Sequence, residues 1–252
     1  MPQNDAHIEL VDASLRYPIG PFVKGSIKAN LLRLLGRKDK TIPRLPWIEA
    51  LKNVNLTINQ GDRVGIVGRN GAGKSTLLRA IAGIYPLSSG DVTVRGKIQS
   101  IFDLGIGFES DATGRENILF RALVMGCDRR SIKEREQEIV DFADIGEFID
   151  LPLRTYSAGM MVRLAFAISS YLEGDILLID EVFGAGDADF QSKAIARLNS
   201  LINQATIVIL VGHNLETIER FCTRAIWVDH GRILADGECK SVIGAYLQTV
   251  NR

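Results

Sequence analysis

Alternating hydrophobic and polar positions predict β-strands in the N-terminal part of the chain. Residues 7–17 alternate with a period of two, and similar alternation resumes over residues 50–58. This period buries one face of a strand and leaves the other face in water. Residues 92–102 are interpreted as another pair of strands around Gly96.

The pattern becomes helical between about residues 113 and 172, where charged residues are frequent and β-branched runs are few. From residue 175 onward, short apolar runs alternate with helical segments. We predict strands at 176–179, 207–211, 225–228 and 233–235, and helices at 189–204, 214–221 and about 240–250. Such alternation is typical of an α/β fold. The sequence therefore predicts an α/β core that a helical segment interrupts.

The segment 68–76 carries the clearest chemical signal. It fits the pattern G-x-x-x-x-G-K-[ST], in which a glycine-rich loop between a strand and a helix cradles phosphates. The apolar run 63–67 predicts that strand, and 76–83 predicts that helix. In this pattern the lysine reaches the β- and γ-phosphates and the serine hydroxyl binds Mg²⁺. We therefore expect nucleoside triphosphate binding by Gly68, Arg69, Asn70, Gly71, Ala72, Gly73, Lys74, Ser75 and Thr76.

Two acids follow the predicted strand 176–179. Asp180 can hold the Mg²⁺ that Ser75 also holds, and Glu181 can polarise the water that attacks the γ-phosphate. An apolar run that ends in two acids also occurs where a strand leads into a helix N-cap. The P-loop upstream favours the catalytic interpretation.

Ser157 and Gly159 begin a predicted helix. The exposed amides and the dipole of a helix N-terminus can hold an anion. Taken alone, the same residues also fit a serine N-cap on an ordinary helix.

The order of these motifs resembles the ABC ATPases over about residues 45–240. The segment 156–160 matches the family's signature helix start, and Asp187 and His213 follow the two acids at the family's positions. The resemblance implies an α/β P-loop NTPase core with an N-terminal antiparallel β-subdomain and an inserted helical subdomain. It further implies one ABC ATPase domain over residues 1–252, with ATP and Mg²⁺ as cofactors.

In that family two subunits enclose two ATP molecules between them. The resemblance implies that Ser157 and Gly159 contact the nucleotide of a second copy of the chain, and that Asp187 lies at the interface between the copies. It assigns His213 to the γ-phosphate. A lone histidine after a strand is otherwise usually an ordinary polar residue.

Departures from the commonest family pattern indicate a subfamily. Residues 156–160 are Y-S-A-G-M, and residues 181–187 are E-V-F-G-A-G-D. With residues 113–118 and 187–191, these resemble the ATPases that export O-antigen, capsule or teichoic acid. The resemblance implies an ATPase that powers export of a lipid-linked polysaccharide through a polytopic membrane permease. It places the chain at the cytoplasmic face of the inner membrane.

Two further expectations follow from the same resemblance. The glutamine that often contacts Mg²⁺ in the family has Asp103 as its nearest equivalent, and a carboxylate can ligate the metal through water. Some relatives carry an added C-terminal carbohydrate-binding domain. Because the chain stops at Arg252, we expect that domain to be absent.

Composition narrows the class of partner. The 252 residues carry 30 basic and 30 acidic side chains, so no global charge favours nucleic acid. The three cysteines have no metal-ligand spacing and are predicted to be thiols of a reducing compartment. No apolar leader segment begins the chain, and its longest apolar run, 207–211, is too short to cross a bilayer. We expect a cytoplasmic chain.

A basic insertion, residues 18–47, separates the first two predicted strands. It holds seven basic residues and one acid, and four of its apolar residues follow helical spacing. A basic amphipathic helix suits a membrane surface, whereas a surface loop packed on the domain fits equally well. An aromatic residue that stacks on adenine ends the first strand of ABC ATPases. Tyr17 fits that place, and Trp47 is the weaker candidate.

Other functions remain as alternatives. The chain could serve a different ABC transporter, or be a soluble ABC protein of translation or DNA repair. Those soluble proteins usually carry two cassettes or a long coiled coil, and neither pattern occurs here. A P-loop kinase or GTPase would not explain the segment 156–160, and no guanine-reading Asn-Lys-x-Asp segment is present.

Overall fold

A computed structural model describes residues 6–18, 47–102, 107–180 and 188–250. The strands are β1 (His7–Pro18), β2 (Trp47–Asn59), β3 (Arg63–Val67), β4 (Ser89–Arg95), β5 (Ile98–Ile101), β6 (Ile176–Asp180), β7 (Ile207–Val211), β8 (Arg224–Asp229) and β9 (Arg232–Glu238). The helices are α1 (Lys74–Ile81), α2 (Gly114–Val124), α3 (Arg129–Ala143), α4 (Ala158–Tyr171), α5 (Ala188–Gln204), α6 (Leu215–Phe221) and α7 (Cys239–Val250). Most of the predicted basic insertion, Asp103, Glu181 and Asp187 lie outside the described residues.

A three-stranded antiparallel sheet lies in the N-terminal part, in the order β2-β1-β4. Leu10 in the central strand pairs with Leu56 on one side and Val92 on the other. Leu10 and Leu56 are buried, because alternate side chains of these strands face the core. The predicted antiparallel β-subdomain is confirmed.

The two strands predicted around Gly96 both exist, but they do not pair with each other. β4 pairs with β1, whereas β5 pairs with β6 in the second sheet. Asp175, just before β6, bonds to Lys97, just before β5. The Asp175 backbone N–H donates to the Lys97 carbonyl oxygen at 2.8 Å, and the Asp175 carboxylate accepts from the Lys97 N–H at 2.7 Å. These bonds align β5 with β6 and direct the chain into the other sheet.

The second sheet has six strands in the order β5-β6-β7-β3-β8-β9. The first five are parallel, and β9 runs antiparallel to β8. All five residues of β7 are buried, as expected where helices cover both faces of a parallel sheet. Val211 at the end of β7 pairs with Ile66 of β3 and with Asp180 of β6. The carboxyl ends of these three strands therefore meet at one edge of the sheet.

The helical segment inserted between β5 and β6 has a core of its own. Ile118 of α2, Ile139 of α3 and Leu164 of α4 are buried within it. The rings of Phe142, Phe166 and Phe190 join this unit to α5, with centroid separations of 5.8–6.0 Å. The predicted helical insertion into an α/β core is confirmed. Among the described residues, no helix is both long enough and apolar enough to cross a bilayer.

Candidate functional site

The glycine-rich loop joins β3 to α1, as the sequence predicts. Gly73 is the N-cap of α1 and lies in the left-handed region at φ 110°. A Cβ atom placed there would lie 2.6 Å from the Ala50 carbonyl oxygen, so only glycine fits. No side chain caps α1, so its first backbone N–H groups are available to an anion.

Lys74 is held directly over this loop. Its Nζ donates to the carbonyl oxygens of Gly68 at 2.8 Å and Arg69 at 3.2 Å. The residue is only 9% exposed, and a buried ammonium requires such partners. Two of its three hydrogens are used in this way. The positive charge is therefore fixed beside the uncapped end of α1.

A cavity of about 640 Å³ opens beside the loop and α1. Its walls combine the P-loop residues with side chains from β1, β2 and β6 and from the turn between β8 and β9. The lining residues are Tyr17, Ile48, Glu49, Ala50, Lys52, Asn70, Gly71, Ala72, Gly73, Lys74, Ser75, Thr76, Asp180, His230 and Gly231. The structure therefore brings together Tyr17, Asp180 and seven of the nine predicted loop residues. The other two, Gly68 and Arg69, contact this site through Lys74.

The donors in this cavity suit Mg²⁺. The Ser75 hydroxyl and the Asp180 carboxylate line the same space. Mg²⁺ typically keeps several waters and takes one or two protein oxygens together with substrate phosphates. Within the ranges that the structure describes, no group of three or more His, Cys, Asp or Glu residues could hold a metal. A site shared between the chain and the nucleotide fits this donor set.

His213 lies two residues beyond Val211, at the same sheet edge as Asp180, and is exposed. The signature helix start lies elsewhere. Ser157 is the N-cap of α4, and its Oγ accepts from the Met160 N–H at 3.2 Å. Ser157 and Gly159 are exposed, and the described lining of the cavity includes neither.

The sequence interpretation missed one wall of the cavity. The Gly231 N–H donates to the Ala72 carbonyl oxygen at 2.8 Å, and the Gly231 carbonyl oxygen accepts from the Lys52 N–H at 2.8 Å. These bonds place the β8–β9 turn, with His230, against the P-loop and β2. The His-Gly pair between two apolar runs signals a turn, but nothing in the local sequence indicates its location.

Of the two aromatic candidates, Tyr17 lines the cavity and Trp47 is not among its described lining residues. The Tyr17 hydroxyl oxygen lies 3.3 Å from the Thr76 Oγ1 atom. Trp47 is 62% exposed. The geometry therefore favours Tyr17 as the aromatic residue next to a bound nucleotide.

The fold and this cavity are those of a P-loop nucleotide-binding protein. A family model described as ABC transporter matches residues 51–184. The chain belongs to the ABC transporter family, and it is the ATP-binding, ATP-hydrolysing component of that family.

Curated relatives agree with this assignment. The chain is 44% identical to the O-antigen export system ATP-binding protein RfbB of Myxococcus xanthus over 227 residues, which are 90% of this chain and 52% of that protein. It is 40% identical to the O-antigen export protein RfbE of Yersinia enterocolitica, over 88% of this chain and 94% of that protein. It is 36% identical to the teichoic acids export protein TagH of Enterococcus faecalis, over 83% of this chain and 46% of that protein. The chain thus spans about half the length of two of these relatives.

Solved structures confirm the predicted fold class. A dimeric ATP-binding cassette bound to ADP and phosphate matches with a TM-score of 0.66 at 22% identity, over 92% of this chain and 98% of that chain. The ATP-binding subunit of an ABC transporter matches with a TM-score of 0.69 at 20% identity, over 95% of this chain and 92% of that chain.

Proposed function

We propose that this chain powers the export of a lipid-linked polysaccharide across the cytoplasmic membrane by binding and hydrolysing ATP. The observation that carries the proposal is its identity of 40–44% to ATP-binding proteins of O-antigen export systems over most of its length. The Y-S-A-G-M and E-V-F-G-A-G-D segments at residues 156–160 and 181–187 support the same subfamily.

In this proposal the phosphates of ATP bind the uncapped amides of α1 and the Lys74 ammonium. The fixed charge and the helix N-terminus favour an anion without reorganising when it binds. Tyr17, which lines the same cavity, contacts the adenine base. Ser75 and Asp180 would hold Mg²⁺, with Asp103 as a further ligand through water, and the ion would supply positive charge to the phosphates.

Hydrolysis requires two further groups that are not among the described lining residues of the cavity, Glu181 and His213. Glu181 follows directly after β6 and acts as the general base on the attacking water. His213 follows β7, the neighbouring strand, and contacts the γ-phosphate. The position of His213 at the sheet edge that carries Asp180 supports this role.

Two copies of the chain complete the site. Because Ser157 and Gly159 are exposed and outside the described lining of their own chain's cavity, they are available to the nucleotide of a second copy. Asp187 lies at the interface between the copies. A polytopic membrane permease carries the polysaccharide and holds the ATPase at the cytoplasmic face of the membrane. Nucleic acid is not a partner of the chain in this proposal.

The composite site is tested with Glu181→Gln. This variant keeps the hydrogen-bonding shape and removes the base, so hydrolysis should fall steeply while ATP binding persists. ATP with Mg²⁺ should then shift the chain from monomer to dimer on a sizing column. Glu138→Gln, at an exposed position on α3, is the matched control and should hydrolyse ATP normally.

Adding Ser157→Arg to the Glu181→Gln chain should return it to monomer without weakening ATP binding to one subunit. A dimer that persists unchanged would contradict the role of the α4 N-terminus at the nucleotide.

The transported substrate needs a separate test in cells that carry the cognate permease. Loss of activity through Lys74→Ala should leave the lipid-linked polymer inside the cell. Normal surface polymer in that strain would instead favour the alternative of an ABC ATPase that serves another transporter or a non-transport process.

A further inference from the structure

The ring of Tyr17 has a second aromatic neighbour, which the nucleotide cavity does not explain. Tyr85 lies in the connection between α1 and β4, and the two ring centroids are 6.5 Å apart with an interplanar angle of 63°. This edge-to-face arrangement lies within the range that aromatic pairs favour. Tyr85 is not among the described residues that line the cavity. Tyr85 contacts Tyr17, which does line the cavity.

Tyr85 is itself held by α1. Its backbone N–H donates to the Arg79 carbonyl oxygen at 3.3 Å, and the neighbouring Ile84 N–H donates to the same oxygen at 2.9 Å. The guanidinium carbon of Arg79 lies 5.8 Å from the centroid of the Tyr85 ring, within cation–π range. The second tyrosine is therefore anchored to the helix that begins at Lys74.

The same helix also holds the hydroxyl end of Tyr17, through the 3.3 Å contact with Thr76 Oγ1. Thr76 and Arg79 lie three residues apart on α1 and thus on one face of the helix. Tyr17 therefore meets two supports: Thr76 of α1 at its hydroxyl, and Tyr85, which α1 anchors, at its ring. At 36% exposed, it keeps part of its surface open to the cavity.

We propose that Tyr85 is a positioning residue that fixes the Tyr17 ring for contact with the nucleotide base. A ring held in place before binding loses less freedom when the base arrives than a mobile ring does. The effect requires the Tyr85 ring, which makes the contacts, and does not require its hydroxyl. This inference rests on the proposed contact between Tyr17 and adenine.

The experiment compares the affinity for ATP with the affinity for inorganic tripolyphosphate, which has no base. Tyr85→Ala should weaken ATP binding about twofold to tenfold, the range that corresponds to one aromatic pair. Tripolyphosphate affinity and kcat should stay unchanged, and Tyr85→Phe should bind ATP as the native chain does. Phe120→Ala is the control, because Phe120 is similarly exposed at 40% but lies on α2.

A double-variant comparison separates this inference from the proposed function. If Tyr85 acts through Tyr17, the Tyr17→Ala, Tyr85→Ala chain should bind ATP no more weakly than Tyr17→Ala alone. Additive losses would overturn the positioning role, as would an equal loss of tripolyphosphate affinity in Tyr85→Ala. Native ATP affinity in Tyr85→Ala together with weak binding in Tyr17→Ala would overturn this inference and leave the base contact intact. Native affinity in Tyr17→Ala would overturn the base contact itself.

Discussion

The turn between β8 and β9 provides a direct test of how the P-loop is supported. Gly231 lies at φ +78°, where a side chain costs about 1–2 kcal/mol. A Cβ atom there would lie 2.6 Å from the Ala50 carbonyl oxygen and 3.0 Å from its carbonyl carbon. These are backbone atoms that cannot rotate away, so Gly231→Ala must displace the turn or β2.

The displacement strains the two 2.8 Å hydrogen bonds that join Gly231 to Ala72 and Lys52. Each such bond contributes about 1 kcal/mol net. We therefore expect Gly231→Ala to lower the free energy of unfolding by about 2–4 kcal/mol. Because Ala72 is part of the P-loop, ATP affinity should also fall.

Gly126→Ala is the matched control. Gly126 has the same φ of +78°, but a Cβ atom there meets nothing within 4 Å. Its free energy of unfolding should therefore fall only by the conformational cost of about 1–2 kcal/mol, and its ATP affinity should not change. Urea unfolding without nucleotide, followed by ATP titration of the folded variants, measures both quantities. Equal losses of stability and equal ATP affinities in the two variants would refute the argument that this turn supports the P-loop.

Two further predictions concern single side chains. Lys74→Ala should abolish ATP binding in calorimetry, because it removes the ammonium charge that contacts the β- and γ-phosphates in the proposed site. Unchanged affinity would contradict the phosphate site at residues 68–76. Burial raises the pKa of the Cys222 thiol from 9.0 to about 12, so the unfolded chain loses this proton at lower pH than the folded chain. The free energy of unfolding should consequently fall as pH rises above about 9, and it should fall less in Cys222→Ala. An identical pH dependence in the two chains would contradict this assignment.

The strand–loop–helix around Lys74 could be predicted from the sequence because its chemistry depends on neighbouring residues. A glycine pattern, a lysine and a serine in one short segment already predict a phosphate-binding loop. Asp180 could be predicted for a similar reason, since four buried strand residues come immediately before it. The pattern of apolar positions likewise predicted the strands and helices. One example is the continuous apolar run of β7, which is fully buried.

Pairing between distant segments needed the tertiary structure. The strands on either side of Gly96 look like a pair in sequence, yet the bonds of Asp175 to Lys97 send them into different sheets. Local periodicity reports which face of a strand is buried, but it does not report which strand lies alongside.

The same limit applies to the candidate site. The sequence by itself determined the glycine-rich loop proposed to bind phosphates and the position of Asp180 after a buried strand, since both lie within continuous motifs. Only the tertiary structure placed Gly231 behind Ala72 and set Tyr85 against Tyr17. These contacts join residues far apart in the chain through ordinary backbone bonds and ring packing, which leave no recurring spacing in the sequence.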